Sequence, residues 1–272
     1  MIFFPNAKIN FGLRITGKRA DGYHDLETVF YPAGLCDALE FVEAHKKEVK
    51  DSITITGINP GGDPGDNLVI KSVHKLRAFA GFPVLRIHLH KAIPAAAGLG
   101  GGSSDAVCML KALNRHYNLN ITDDVIKSLA LELGSDCPFF IDCQPSYATG
   151  RGEKMVPVSK FLSGLYVVIA NPGVAISTAE AFKNCIPAPA ESKLSEQLNL
   201  PPEKWKDQVK NDFEAFAFKK YPVIGHIKEE MYRQGAVFSL MSGSGSSVYG
   251  LFREKRVLDS NLNRYVVWEG KI

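Results

Sequence analysis

Positions 94 to 105 read Pro94-Ala95-Ala96-Ala97-Gly98-Leu99-Gly100-Gly101-Gly102-Ser103-Ser104-Asp105, four glycines and two serines between a strand-like run and a helix-like one. That is the layout of a phosphate cradle. Glycines reach positive φ and let backbone amides approach an anion closely, while the first turn of the following helix leaves its own amides unpaired and carries a partial positive charge. Ser103 or Ser104 is expected to cap that helix. The run matches neither common glycine fingerprint: the Walker A form ends in Gly-Lys-Ser/Thr, and the dinucleotide form needs Gly or Ala where Ser103 stands. A flexible linker has no reason to be framed by apolar strand and helix patterns, so the reading is a nucleotide phosphate loop of a third kind.

Two charged residues stand out beside it. Lys8 alternates with apolar Ala7 and Ile9, which puts its side chain on one strand face with Asn6 and Asn10. Such a face is also compatible with simple solvation. Asp136 follows Gly134 and Ser135 at a helix end, where Asp also serves as an ordinary turn former.

The elements that must position these residues follow from periodicity. Runs 8–15, 39–42, 53–56 and 85–90 read as strands separated by Gly, Pro and Asp. Leu68, Val69, Val73, Leu76 and Ala80 fall at helical spacing with Gly81 as a stop, and Ala106, Met109, Leu110, Leu113 and Tyr117 make a second amphipathic helix. A third opens at Thr122 and Asp123 and ends at Gly134. The stretch 165–170 is a short apolar strand, and 186–202 is the most linker-like segment. Helical runs over 211–218 and 222–234 precede strands over 236–241, 247–252 and 264–268. Because strands and helices do not alternate regularly, the pattern predicts an α+β protein in two halves rather than a doubly wound parallel sheet; a boundary fits at 166–171 or in the 186–202 segment, and the halves are taken as 1–160 and 161–272.

Composition narrows the function classes. The 272 residues are 45% apolar and 22% charged, an ordinary globular balance. Lys and Arg number 32 against 29 Asp and Glu, so the basic surplus that nonspecific nucleic-acid binding requires is missing. The five scattered cysteines form no Cys-x-x-Cys pair and suggest a reducing compartment. The N-terminus lacks a signal-peptide layout and no window reaches the length of a membrane span, so the expectation is a cytoplasmic protein with no membrane partner.

Three further segments accompany the loop: Pro5-Asn6-Ala7-Lys8-Ile9-Asn10 with Asp21-Gly22-Tyr23-His24-Asp25-Leu26-Glu27-Thr28-Val29-Phe30, then Gly134-Ser135-Asp136-Cys137-Pro138-Phe139-Phe140, and Met241-Ser242-Gly243-Ser244-Gly245-Ser246-Ser247-Val248-Tyr249-Gly250. At these residues the sequence resembles the GHMP kinases, named for galactose, homoserine, mevalonate and phosphomevalonate kinases. The resemblance implies the two-domain GHMP kinase fold, with the active site in the inter-domain cleft and ATP with Mg²⁺ as cofactors. Within the superfamily, the 8–10, 21–30 and 134–140 segments resemble the branch whose acceptor is a cytidine diphosphate conjugate of methylerythritol, phosphorylated on its 2-hydroxyl. A mevalonate or homoserine kinase is the nearest rival, and a sugar-binding regulator that lost catalysis is a rival of another class.

By that resemblance, Lys8 and Asp136 are the catalytic pair near the acceptor hydroxyl, and Asn10 contacts substrate. A lysine so placed keeps a carboxylate ionised but makes it a weaker base. Phosphoryl transfer tolerates this, because its loose transition state depends mainly on alignment and charge stabilisation. Asp136 is therefore expected to orient the hydroxyl and take its proton late, while Lys8 stabilises anionic charge. Tyr23, His24 and Phe182 are the expected base-recognition set, with cytosine sandwiched between Tyr23 and Phe182; Phe182 equally suits a helix core. Gly243 and Gly245 are expected to approach substrate, although such a run also suits a hairpin turn. Asn67 and Lys91 are expected to contact the adenosine moiety, although an Asn before a helix is also a usual N-cap. Mg²⁺ needs few protein ligands; Ser104 is the one candidate, and the acidic metal ligand of other superfamily members has no matched position here.

Overall fold

In the computed structural model, which describes residues 1–189 and 192–272, the chain passes repeatedly between two units. Unit 1 is Met1–Ala7, Leu35–Ala95 and Gly100–Cys143; unit 2 is Lys8–Gly34, Ala96–Leu99 and Gln144–Ile272. Among the described residues the strands are β1 (Ile2–Phe3), β2 (Asn6–Lys18), β3 (His24–Cys36), β4 (Ala38–Glu43), β5 (Ser52–Gly57), β6 (Leu85–Lys91), β7 (Ser146–Thr149), β8 (Lys154–Pro157), β9 (Tyr166–Ala170), β10 (Phe238–Met241), β11 (Val248–Phe252) and β12 (Val266–Lys271). The mixture of mostly antiparallel sheets with clustered helices is the α+β class read from the sequence.

In unit 1 the sheet runs β1-β4-β6-β5, with β5 parallel to β6 and the other pairs antiparallel. Strand β6 shows why these residues form it: Leu85, Ile87 and Leu89 face inward while Arg86, His88 and His90 face out. Helices α1 (Leu68–Arg77), α2 (Gly101–His116) and α3 (Asp123–Leu133) bury amphipathic faces, Val69, Val73 and Leu76 from the first and Met109, Leu110 and Leu113 from the second. Each such side chain contributes about 1.5–3 kcal/mol on burial. The first helix stops at Arg77, short of the expected Gly81.

Unit 2 holds two sheets, β2-β3-β7-β8 and β10-β11-β9-β12. Strands β10, β11 and β12 all pair antiparallel in the second. Its core joins Leu13 and Ile15 to Val168, Ile176, Phe213, Ile227 and Phe252. The 13-residue β3 escaped the sequence reading because Glu27 and Thr28 sit inside it, 4% and 0% exposed, and break the apolar alternation. The expected linker carries a helical turn, Leu194–Gln197, anchored by fully buried Leu194; residues 190 and 191 lie outside the described residues. Among the described residues no helix is long and apolar enough to cross a membrane.

Candidate active site

The glycine run forms the turn into α2. Gly98 and Gly100 have φ of +76° and +70°, and Gly100 is the N-cap, with no side-chain cap. The expected serine cap is thus corrected: the left-handed glycine ends the loop by itself, the helix starts at Gly101, and Ser103 and Ser104 lie inside its first turn. The first helical bond runs from the Ser104 amide to the Gly100 carbonyl at 2.9 Å, so the amides of Gly101, Gly102 and Ser103 precede it. No acidic residue occupies that turn. Three amides and the positive helix end are the groups that can receive an anion.

Asp136 belongs to the same unit. Its turn, from Gly134 to Cys137, is closed by the Cys137 amide donating to the Gly134 carbonyl at 3.1 Å. A Cβ on Gly134 would stand 4.0 Å from the Ser103 hydroxyl, and Ser103 hydrogen-bonds the buried Cys137 thiol, whose pKa burial pushes up to about 11. The Asp136 turn therefore packs on the first turn of α2.

In unit 2, Lys8 projects from β2 at 2% exposure. Its Nζ donates to Asn10 Oδ1 at 2.5 Å and to the Gly98 carbonyl at 3.0 Å, and lies 5.1 Å from the Phe30 ring centroid. Asn10 is itself tied: Nδ2 donates to Thr28 at 2.9 Å, and its backbone amide donates to Ser242 Oγ at 3.1 Å. Ser242 Oγ also donates to the Gly98 carbonyl at 2.9 Å. Asn10 thus holds Lys8 rather than offering a free amide. Gly243 belongs to this cluster, since a Cβ on it would meet Gly98 Cα at 3.1 Å. Asn211, which the sequence reading missed, fastens that turn by donating to the Met241 and Gly243 carbonyls at 2.8 Å each. Gly245, φ +89°, packs against Met241 and Ile176.

A cavity of about 640 Å³ opens in unit 1, lined by Ile55, Gly57, Asn59, Asn67, Leu68 and Gly102 among others. It borders the first turn of α2 and has the size of a nucleoside site. Asn67 both lines it and caps α1, its Oδ1 accepting from the Val69 amide at 2.9 Å. Lys91 is committed elsewhere, being paired with Asp37 and Asp105 at 4% exposure.

Tyr23 and His24 sit where the tight turn after β2 enters β3. Tyr23 is 54% exposed, with the Arg151 guanidinium 4.5 Å from its ring centroid. His24 stacks on Phe182 at 5.0 Å between centroids and 19° between planes, and Phe182 meets Phe213 edge-on at 5.0 Å. The structure brings His24, not Tyr23, onto Phe182. Among the described residues no group of three or more His, Cys, Asp or Glu is arranged to hold a metal ion.

Comparison with known proteins fits this geometry. The GHMP kinases N terminal domain matches residues 67–143 and the GHMP kinases C terminal domain matches 198–265. A relative from Bacteroides thetaiotaomicron, a 4-diphosphocytidyl-2-C-methyl-D-erythritol kinase, is 50% identical over 95% of this chain and 94% of its own. One of the same name from Cytophaga hutchinsonii is 41% identical over 94% and 93%. A crystal structure of 4-(cytidine 5'-diphospho)-2C-methyl-D-erythritol kinase superposes with a TM-score of 0.78 at 31% identity, covering 92% of this chain and 90% of that one. The mevalonate kinase of Methanococcus jannaschii, at TM-score 0.64 and 15% identity over 93% and 90%, shares the fold.

Proposed function

This chain belongs to the GHMP kinases, in the branch of the 4-diphosphocytidyl-2-C-methyl-D-erythritol kinases, and from that membership we propose how its residues divide the work. The protein is an ATP-dependent kinase that phosphorylates the 2-hydroxyl of 4-diphosphocytidyl-2-C-methyl-D-erythritol, releasing ADP, in non-mevalonate isoprenoid precursor biosynthesis. The observation that carries the assignment of roles is the uncapped start of α2, three unpaired amides with the Asp136 turn packed beside them.

The Pro94–Ser104 loop takes the ATP phosphates on the amides of Gly101, Gly102 and Ser103. Adenosine lies in the cavity that Asn67 and Gly102 line; Lys91 supports that site through its buried pairs, without direct contact. Asp136 orients the acceptor hydroxyl and accepts its proton late, and Lys8, aimed by Asn10, stabilises the anionic charge that develops. Mg²⁺ takes most of its shell from phosphate oxygens and water; the Ser104 hydroxyl, in the first turn of α2 and 3% exposed, would be its protein ligand, and the ion would supply charge neutralisation there. Tyr23, His24 and Phe182 recognise cytosine, and Gly243 and Gly245 shape the substrate side. Along the sequence we take 1–160 as the N-terminal and 161–272 as the C-terminal family domain, each containing its matched stretch, 67–143 and 198–265. The five cysteines are free thiols, which supports a cytoplasmic setting, and the charge balance supports a small-molecule partner rather than nucleic acid.

The test is Asp136→Asn and Lys8→Ala, assayed for ADP release and for substrate binding. Turnover should fall by roughly two to four orders of magnitude with binding largely retained. A near-normal rate for Asp136→Asn contradicts its role, and a change in KM alone for Lys8→Ala makes Lys8 a binding residue.

A further inference from the structure

Strand β6 ends at Lys91, and its alternation puts this side chain on the inward face with Leu85, Ile87 and Leu89. A buried ammonium has to be paired. Lys91 lies between the carboxylates of Asp37 and Asp105, whose side chains are 0% and 2% exposed, with Asp105 Oδ2 at 2.8 Å. That is one carboxylate more than neutrality needs. Asp105 Oδ1 has no hydrogen-bond partner, and burial, reinforced by Asp37 against the pull of Lys91, pushes its carboxyl up to about 7. Such a cluster gives little stability over an apolar core of the same volume, so its contacts need another explanation.

Asp37 is its centre. One oxygen accepts from the amides of Ala92 and Ile93 at 2.6 and 2.8 Å, the residues that lead into Pro94 and the glycine loop. The other takes the Lys91 ammonium, which passes the connection to Asp105 in the first turns of α2. The Asp37 amide donates to the Pro5 carbonyl at 2.9 Å, in the segment that leads to Lys8. Gly101 sits directly on this cluster: a Cβ there would be 3.2 Å from Lys91 Nζ and 2.8 Å from Ile93 Cγ2. One carboxylate thus fastens the chain entering the loop and, through Lys91, the helix leaving it.

We propose that Asp37 is the positioning residue of the ATP site, holding the Gly101–Ser103 amides in their phosphate-binding arrangement before nucleotide arrives. It acts through Ala92, Ile93 and the Lys91–Asp105 pair and does not touch ATP. Preorganised donors bind an anion without reordering the loop first. The inference rests on the kinase reading above.

Two measurements test it. In nucleotide-free wild type, amide exchange at Ala92 and Ile93 should be slowed by about 100-fold or more relative to an unprotected chain; fast exchange at both overturns the proposal, and this readout needs no variant to fold. In Asp37→Asn, calorimetric titration with ATP and Mg²⁺ and steady-state kinetics should show ATP Kd and KM raised about tenfold or more while KM for the cytidine substrate stays within about twofold. A folded Asp37→Asn with a lowered melting temperature and unchanged ATP affinity makes the cluster merely structural and overturns the proposal. The titration is done without acceptor, so its outcome stands apart from whether the cytidine conjugate is the substrate.

Discussion

Replacing Gly98 by Ala probes the contact on which the loop and Lys8 both depend. A Cβ at Gly98 would lie 1.9 Å from the Ser242 carbonyl oxygen, where ordinary contact begins at 3.4 Å, so 1.5 Å must be found by moving one backbone or the other. The residue also sits at φ +76°, which costs an L-amino acid roughly 1–2 kcal/mol. Moving the Gly98 carbonyl disrupts the bonds it accepts from Lys8 and Ser242, at about 1 kcal/mol or more each. The φ cost falls on stability, whereas the two bonds come to about 2 kcal/mol or more against the active arrangement, or a kcat/KM lowered about 30-fold or more at about 1.4 kcal/mol per tenfold. Gly173→Ala is the matched control, because Gly173 has the same φ of +76° with nothing within 4 Å of where its Cβ would stand. It should lose only some stability. The assay is ADP release from folded protein of both variants, with melting curves alongside. A Gly98→Ala enzyme within about threefold of Gly173→Ala refutes the clash argument.

Two further outcomes follow from the site. Tyr23→Ala should weaken the cytidine substrate by about 1–3 kcal/mol with ATP affinity little changed, and a uridine analogue should also lose kcat/KM on wild type, because exchanging an amino donor for a carbonyl acceptor leaves a partner unpaired; equal kcat/KM for both bases removes base recognition from Tyr23 and His24. Asp105 keeps its proton up to about pH 7 when folded but only to about 3.9 when unfolded, so its stabilising contribution is full below about pH 4 and is lost as pH rises through about 7. Asp105→Asn should flatten the decline in melting temperature between about pH 4 and 7, at roughly 2–4 °C per kcal/mol for a chain of this size; parallel curves for the two proteins contradict the raised pKa.

What the sequence reveals is what is encoded locally. Helices α1 to α3 repeat apolar residues at helical spacing and carry their stops nearby, and β6 alternates cleanly, so all were visible. The glycine loop was visible as well, because its chemistry lies in consecutive residues. Its cap was misplaced, since Ser at a helix start is a good cap in general and only the φ of Gly100 shows that the chain turned earlier. Asp37 and Asn211 gave no signal, and Ser242 stood out only as part of the 241–250 run, because each acts on partners far along the chain, as when Ser242 bonds Asn10 and Gly98. The part of the cavity wall from Ile58 to Asp66 reads as Gly- and Pro-rich loop, and nothing in that composition places it beside Gly102. Phe182 suits a helix core and a base platform equally in sequence; in the fold it meets Phe213 in a T-shaped pair and stacks on His24. Nor does composition show that the chain changes units within the loop itself, at Ala95/Ala96 and Leu99/Gly100.

The central claim is that this site moves the γ-phosphoryl group of ATP to the 2-hydroxyl of the cytidine conjugate. Coupled ADP release measured on one enzyme preparation with 4-diphosphocytidyl-2-C-methyl-D-erythritol, mevalonate and free methylerythritol tests it most directly. The account predicts Mg²⁺-dependent turnover with the cytidine conjugate and kcat/KM at least about 1,000-fold lower for the other two, the scale set by leaving a nucleobase site empty. Turnover of mevalonate, or of free methylerythritol, as fast as that of the conjugate would contradict it.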